Sequence, residues 1–176
     1  VTINGRETYH LIADGKTLST FDWMFRVRDR FESYMDQEFI APIKYFKSVK
    51  EDSYSDVDLV FFDHDTKRIK GKKKNMDCPA YVQDIIGAAY YARTIDYSTA
   101  TKGQAFPIDI YLDQEIYNLE YKYMGKEYVK SDVGKIKCIK IKPKAVADRV
   151  FKDSNAITLW ISDDENKIPV RVEASL

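Results

Sequence analysis

The 176-residue chain is short of several residue types: 2 cysteines, 2 histidines, 5 prolines, 7 glycines and 2 tryptophans. Each shortage excludes something. Cys78 and Cys138 lie far apart, with no CxxC or Cys/His cluster, so a zinc site of the usual spacing is excluded. Two buried free thiols are the favoured reading, and a disulfide closing a long loop is the alternative. So few glycines supply no phosphate-cradling loop. No GxSxG is present, so a serine on a strained nucleophile turn is missing. Charge of either sign is not in excess, because 28 Lys+Arg balance 28 Asp+Glu. That balance argues against a nucleic-acid partner bound by counterion release and against a polybasic membrane-surface protein. No run approaches about 18 consecutive apolar residues, so a transmembrane helix is not expected. The sequence opens at Val1 with no apolar leader, which we read as a processed or trimmed start that says nothing about export.

What the chain does have is β-forming residues. It carries 17 Ile and 12 Val against 7 Leu, with 13 Tyr and 9 Phe. β-branched and aromatic side chains suit a pleated, half-buried surface. The 44% hydrophobic content excludes wholesale disorder. A chain this long hides roughly 70% of its unfolded surface, so it builds a core without staples. No linker or internal repeat divides it, and a single β-rich domain over 1–176 is expected.

Period-two alternation marks the strands. Residues 7–13 read as the first, and 20–24 as a short helical link. Phe25, Val27, Phe31 and Met35 then alternate with Arg26, Arg28, Arg30, Glu32 and Tyr34. A return strand follows over 39–49, with Pro42 at an edge or bulge. Over 54–62, Val57, Leu59 and Phe61 share one face, and Asp56 and Asp58 the other. The basic tract 67–74 is either an edge strand guarded by lysines or a solvated loop. Phe106, Ile108, Ile110 and Leu112 alternate, and Asp113-Gln114 turns the chain into Tyr117, Leu119, Tyr121 and Tyr123. Gly125 is expected to turn it again. Ile136 and Cys138 share one parity while Ile139 and Ile141 take the other, which predicts a bulge at Cys138–Ile139. Residues 143–150 read as a connection, and Ile157, Leu159 and Ile161 pair with Ile168, Val170, Val172 and Ala174 as a terminal hairpin. One helix is expected over 79–93, opened by Pro79, capped by Asp77 and striped by Val82, Ile85, Ile86 and Ala89. The fold class is mainly β: a curved antiparallel sheet or half-barrel of about ten strands with one packed α-helix.

Candidate chemistry is sparse. Asp29 lies on an apolar face, where a carboxylate needs a partner; an ion pair with Arg93 or Arg28 is favoured over a reactive acid. Asp63-His64-Asp65 has metal donors, yet adjacent turn residues point apart, and a solvent-exposed hairpin tip is favoured. Residues 163–166 resemble a calcium loop without its alternating spacing, so a turn is the better reading. The tract 67–74 has no aromatic for base stacking. A glycan hydrolase would need two carboxylates about 5–10 Å apart in a groove, from Asp29, Asp56, Asp58 or Asp109. The aromatic excess is the strongest signal. Tyr117, Tyr121 and Tyr123 on one strand face, with Tyr45, Tyr90 and Tyr91, form a candidate lining for a hydrophobic or amphipathic ligand, against the alternative of an ordinary core.

The whole pattern also resembles a known family. The resembling stretches are Tyr9-His10-Leu11-Ile12-Ala13-Asp14-Gly15-Lys16-Thr17, Arg28-Asp29-Arg30-Phe31-Glu32-Ser33-Tyr34-Met35-Asp36, Tyr91-Ala92-Arg93, Gly103-Gln104-Ala105-Phe106-Pro107, Met124-Gly125-Lys126-Glu127 and Leu159-Trp160-Ile161-Ser162-Asp163-Asp164 through Ile168-Pro169-Val170. They are similar to an uncharacterised family of exported proteins of Gram-negative bacteria, with Bacteroides-type members, known only as a domain of unknown function. The resemblance implies a secreted precursor and a periplasmic or outer-envelope location. It suggests a shape like the half-barrel carriers of lipids or lipoproteins, by analogy of fold alone. Members carry additional strand sequence before the part seen here. No catalytic residue, metal or cofactor is implied. The expectation is a non-enzymatic envelope protein that binds a lipid or amphiphile on an aromatic concave face. The alternative is a structural or assembly protein working through an envelope protein partner, and a glycan hydrolase is the third reading.

Overall fold

The alternating pattern produces two sheets, described by a computed structural model over residues 1–17, 26–145 and 157–174. The first is seven-stranded and runs in sequence order: β1 (Thr2–Ile3), β2 (Arg6–Lys16), β3 (Arg28–Asp36), β4 (Pro42–Glu51), β5 (Tyr54–Asp63), β6 (Arg68–Gly71) and β7 (Asn75–Asp77). The second is six-stranded, again in sequence order: β8 (Gln83–Asp84), β9 (Ala105–Leu112), β10 (Glu115–Ser131), β11 (Gly134–Ala145), β12 (Ile157–Ser162) and β13 (Pro169–Ala174). Each sheet curls as a half-barrel, and one short helix, α1 (Ile85–Tyr91), completes the described structure. The expected fold class is therefore the observed one. The chain divides into two compact units, Val1–Ala89 with Tyr111–Ile116, and Tyr90–Ile110 with Tyr117–Leu176. The expected link at 20–24 lies outside the described residues.

In the first unit, register decides what faces the core. Ser33 pairs with Tyr45 and Tyr45 with Val60, while Phe31 pairs with Lys47 and Lys47 with Asp58. Cross-strand partners share a face, so the inner face is mixed. It buries Tyr45, Val60, Phe62 and Ile69 with Cys78, Val82 and Tyr111, but also Ser33, Lys47 and Asp58. On β5 the aspartate face is therefore the inward one, and Val57 and Phe61 are left exposed. The bulge foreseen at Pro42 is present as a register shift opposite Tyr34 and Met35. The basic tract splits into β6 and the turn leading to β7, which takes the sheet edge.

In the second unit, two expectations are corrected. Gly125 does not turn the chain, because β10 runs unbroken to Ser131. The pairing shifts from Tyr123–Ile141 to Gly125–Lys140, which leaves Met124 as the inserted residue of a bulge. Gly125 has φ 107°, a conformation that needs glycine. The bulge expected at Cys138–Ile139 is absent there, and β11 pairs with β12 in continuous register through both residues. Cys138 and Ile139 are nevertheless both buried, because both faces of the sheet are covered at this point. One face holds Tyr121, Tyr123, Ile139, Ile141, Leu159 and Ile161. The other holds a second cluster of Val129, Cys138 and Trp160, packed by Ile136 and Val170. Of the connection predicted at 143–150, residues 143–145 instead belong to β11, with Pro143 opposite Tyr121, and residues 146–150 lie outside the described residues.

The helix is shorter than predicted. Helical backbone starts at Ile85, not Pro79, so Val82 of the expected stripe lies outside it; the residues the helix buries are Gly87 and Ala88, while Ile85, Ile86 and Ala89 are half-buried. Tyr81 has φ 59°, which a helix cannot contain, and Gln83–Asp84 is a strand. The cap is Asp84 rather than Asp77: its Oδ1 accepts the amides of Ile86 at 2.9 Å and Gly87 at 2.7 Å.

Candidate functional site

Alternate turns of a sequential antiparallel sheet fall at the same end. In the first unit these are the β1–β2 turn at Asn4, the β3–β4 turn at Phe39 and the β5–β6 turn at His64. They frame a cleft of about 410 Å³ whose lining includes Arg6, Phe39, Ile43, Phe61, Phe62, His64 and Lys70. That volume lies in the range of about 300–1,000 Å³ typical of small-molecule sites. Aromatic and aliphatic side chains share the lining with the charged Arg6, Lys70, Asp63 and Asp65.

The cleft walls are fixed from behind. Asp36 accepts the amides of Glu38 at 2.8 Å and Phe39 at 3.1 Å and pairs with Arg6 at 3.2 Å. Burial works against its charge, yet those amides and the guanidinium outweigh it and hold Asp36 below the usual carboxylate range. Arg6 also lies 4.9 Å over the Phe39 ring. His64 presents both ring nitrogens to the backbone: Nε2 donates to the Pro42 carbonyl at 2.7 Å and Nδ1 accepts the Tyr81 amide at 3.2 Å. Its ring stacks on Phe62 and Tyr81. The residue expected at a solvent-exposed tip is therefore a packed wall of the cleft, with neither nitrogen free for a metal or a substrate proton. Asp63 does serve the turn, accepting the Thr66 amide at 2.9 Å.

Two backbone outliers flank this end. Ile40 has φ 51° and Tyr81 φ 59°. A β-branched residue in the left-handed region is a genuine strain. Gln83, 1% exposed, holds both: its Nε2 donates to the carbonyls of Ile40 and Tyr81, each at 3.0 Å. Its Oε1 has no partner and lies 2.9 Å from where a Cβ on Gly87 would stand. Gly87 thus leaves room for the clamp.

Deeper in the same unit the inner face carries a polar array. The Tyr111 hydroxyl donates to Asp58 Oδ2 at 2.9 Å, while Asp58 Oδ1 and the Tyr45 hydroxyl have no partner among the described residues. Lys47 bridges Asp56 and Asp113, and Asp56 also pairs with Lys73. Burial opposes the Lys47 charge, but the two carboxylates raise its pKa on balance. Burial drives the Tyr45 phenol far above its ordinary value, with Asp84, Asp113 and Asp58 adding to the shift. Tyr45 is therefore a neutral hydroxyl with nothing to bind. Tyr45→Phe is expected to raise the unfolding free energy by about 1 kcal/mol, because it deletes an unsatisfied buried group and keeps the ring. Urea unfolding checks this, and a loss of stability would mean the hydroxyl has an ordered partner.

The six candidate tyrosines fall in different places. Tyr45 is buried in the first unit. In the second, Tyr121 and Tyr123 are buried, and Tyr123 stacks 6.0 Å from Tyr97. Tyr117 and Tyr91 are half-buried, and Tyr90 is exposed under Arg93. The carboxylate candidates are absorbed into local structure. Asp29, half-buried, accepts the Lys50 amide at 3.1 Å. Arg93, one of the two partners expected for it, instead donates to the Asn166 carbonyl. Asp109 accepts from Asn118. Asp163 pairs with Lys126 and Lys137, and Asp164 ties the 163–166 turn through the amides of Asn166 and Lys167. Both cysteines are free and buried, and burial pushes the Cys78 thiol up to about 11. The cleft residues Arg6 and Phe39, and the clamp Gln83, carry no signal in the sequence, because only the pairing of distant segments brings them to their partners. Asp84, ahead of an apolar run, carried a cap signal that Asp77 displaced.

A search of curated proteins and of solved structures finds nothing similar to this chain. A family model described as "Protein of unknown function (DUF3108)" matches residues 1–176. The chain, over its full length, belongs to the DUF3108 family.

Proposed function

We propose that this protein is a non-enzymatic binding protein of the bacterial cell envelope that holds an amphiphile in the cleft at the turn end of its first half-barrel. The carrying observation is the cleft itself: a concave site of about 410 Å³ lined by Phe39, Ile43, Phe61 and Phe62 together with Arg6, Asp63, Asp65 and Lys70. A lining that mixes these apolar side chains with cationic and anionic ones suits a molecule with an apolar tail and a charged head. The exported, periplasmic or outer-envelope setting is supported by the resemblance of the sequence segments quoted above. Catalysis finds little support in the cleft, since His64 spends both nitrogens on the backbone.

The test is calorimetric titration with a lysophospholipid and with a long-chain fatty acid, both below their micelle concentrations. Binding of one of them with a stoichiometry near one is expected. Phe61 is 43% exposed, so Phe61→Asp leaves the fold intact while charging the cleft wall. It is expected to weaken binding at least about tenfold, the scale of losing one buried aromatic contact. No binding by either probe, or binding that Phe61→Asp leaves unchanged, overturns the reading. The second reading, an envelope assembly protein working through a protein partner, is favoured by one specific observation, the sheet edge at β13, which no described strand covers.

A further inference from the structure

Strand β13 is an edge strand: β12 pairs with it on one side and no described strand on the other. Its side chains alternate cleanly. Val172 pairs with Leu159 and so shares the face of the buried apolar cluster, yet it is 62% exposed. Arg171 pairs with Trp160 and lies on the opposite face with Glu173, with which it forms an ion pair. Both side chains of that pair are about half exposed. An edge that leaves an inward-facing valine uncovered is a template for another strand.

We propose that β13 pairs antiparallel with β13 of a second copy of this chain, about a two-fold axis at Val172. The sequence of the strand is what selects this occupant and this register. A two-fold axis normal to the sheet places residues of the same parity opposite each other. Centred on Val172, it sets Arg171 across from Glu173 of the partner subunit and Glu173 across from Arg171 of the partner subunit. Centred on Arg171 or on Glu173, it sets like charges face to face, which is unfavourable. The Val172-centred register also stacks the two exposed valines on the core face, each covering the other. Pro169 opens the strand and has no amide to donate, so the paired stretch is bounded there. This inference is independent of the amphiphile cleft, which lies in the other unit.

Sedimentation equilibrium over a concentration series from micromolar to millimolar is the test. A reversible monomer–dimer equilibrium is expected. Arg171→Glu places Glu opposite Glu at both ends of the ladder and is expected to weaken the dimer at least about tenfold; Glu173→Arg does the same with Arg opposite Arg. The double exchange R171E/E173R restores opposite charges and is expected to recover dimerisation. Because the double exchange also restores the Arg171–Glu173 ion pair within each chain, circular dichroism and urea unfolding of the single variants separate a fold defect from lost pairing. Val172→Cys is expected to form a disulfide between copies under mild oxidation, because directly opposed residues have Cα atoms about 4.5–5.5 Å apart. The native cysteines are both buried and do not compete. A monomer throughout the series with no cross-link from Val172→Cys overturns the proposal, as does a double exchange that stays as weak as the singles.

Discussion

Replacing Asp84 by alanine is expected to lower the unfolding free energy by about 2–4 kcal/mol, while asparagine at the same position is tolerated. Asp84 is completely buried and anchors three donors: the Ile86 and Gly87 amides and the Ser33 hydroxyl, which donates at 2.6 Å. Alanine leaves all three unpaired away from water. Asparagine keeps a carbonyl oxygen for the two amides, and the Ser33 hydroxyl can turn to accept from its amino group. The two variants also separate a pH effect. Burial raises the Asp84 carboxyl from 3.8 to about 6, against the opposing pull of the Gly87 amide, Ser33 and the Ile86 amide. The folded protein thus keeps this proton to a higher pH than the unfolded chain does. Protonation favours the folded state, so this contribution is complete below about pH 4 and is lost as pH rises through about 6. The size of that loss is about 3 kcal/mol. The stability of Asp84→Asn relative to the native protein is therefore expected to rise by that order between pH 4 and pH 7. Urea midpoints at several pH values give the difference directly. Parallel curves for the two proteins would show that Asp84 is not the titrating group.

Trp160→Ala is expected to cost about 3–5 kcal/mol, the range for emptying a buried aromatic site. Trp160 is 5% exposed and packs with Val129 and Cys138 on the outer face of the second sheet. Its indole N–H donates to Glu127 at 2.6 Å. Lys140 and Arg171 lie over its ring, at 5.0 Å and 5.6 Å from the centroid. Removing the indole leaves a cavity, a carboxylate with one donor fewer and two cations without their π face. Trp160→Phe keeps the ring and gives up the hydrogen bond, and is expected to cost about 1 kcal/mol. Equal losses in the two variants, read from urea unfolding, would mean that Glu127 rather than packing dominates the site.

The strands were readable because alternation depends only on neighbouring residues. The strand read over 39–49 overlaps β4, found at Pro42–Glu51, and its pairing with β5 follows from parity and a turn. Where parity broke, the sequence misled. Cys138 and Ile139 suggested an inserted residue because one buried face was assumed; with two faces covered, adjacent apolar residues need no bulge. The true insertion, Met124, lies on the partner strand, where Gly125 gave a turn signal with no turn behind it. The helix was misjudged in length because Pro79 and the apolar stripe speak for local preference, whereas Gln83 holds the preceding backbone through Ile40, a residue distant in sequence. The cleft was illegible for the same reason. Phe39, Phe61 and His64 belong to three separate stretches, and only the curl and register of the sheet bring them to one end. The tyrosines, conspicuous by number, were legible as aromatic strand faces, but composition does not say whether such a face is filled.

Both sheets keep their strands in the order in which they occur along the chain. Most of the ladder can then form by zippering, each new strand docking on the one just made across a short turn, with little loop entropy to overcome at any step. The exception is the tip Tyr111–Ile116, which joins the first unit from far along the sequence and brings Tyr111 to Tyr45 and Phe62. Completion of that unit during synthesis must therefore wait until this distant tip has left the ribosome.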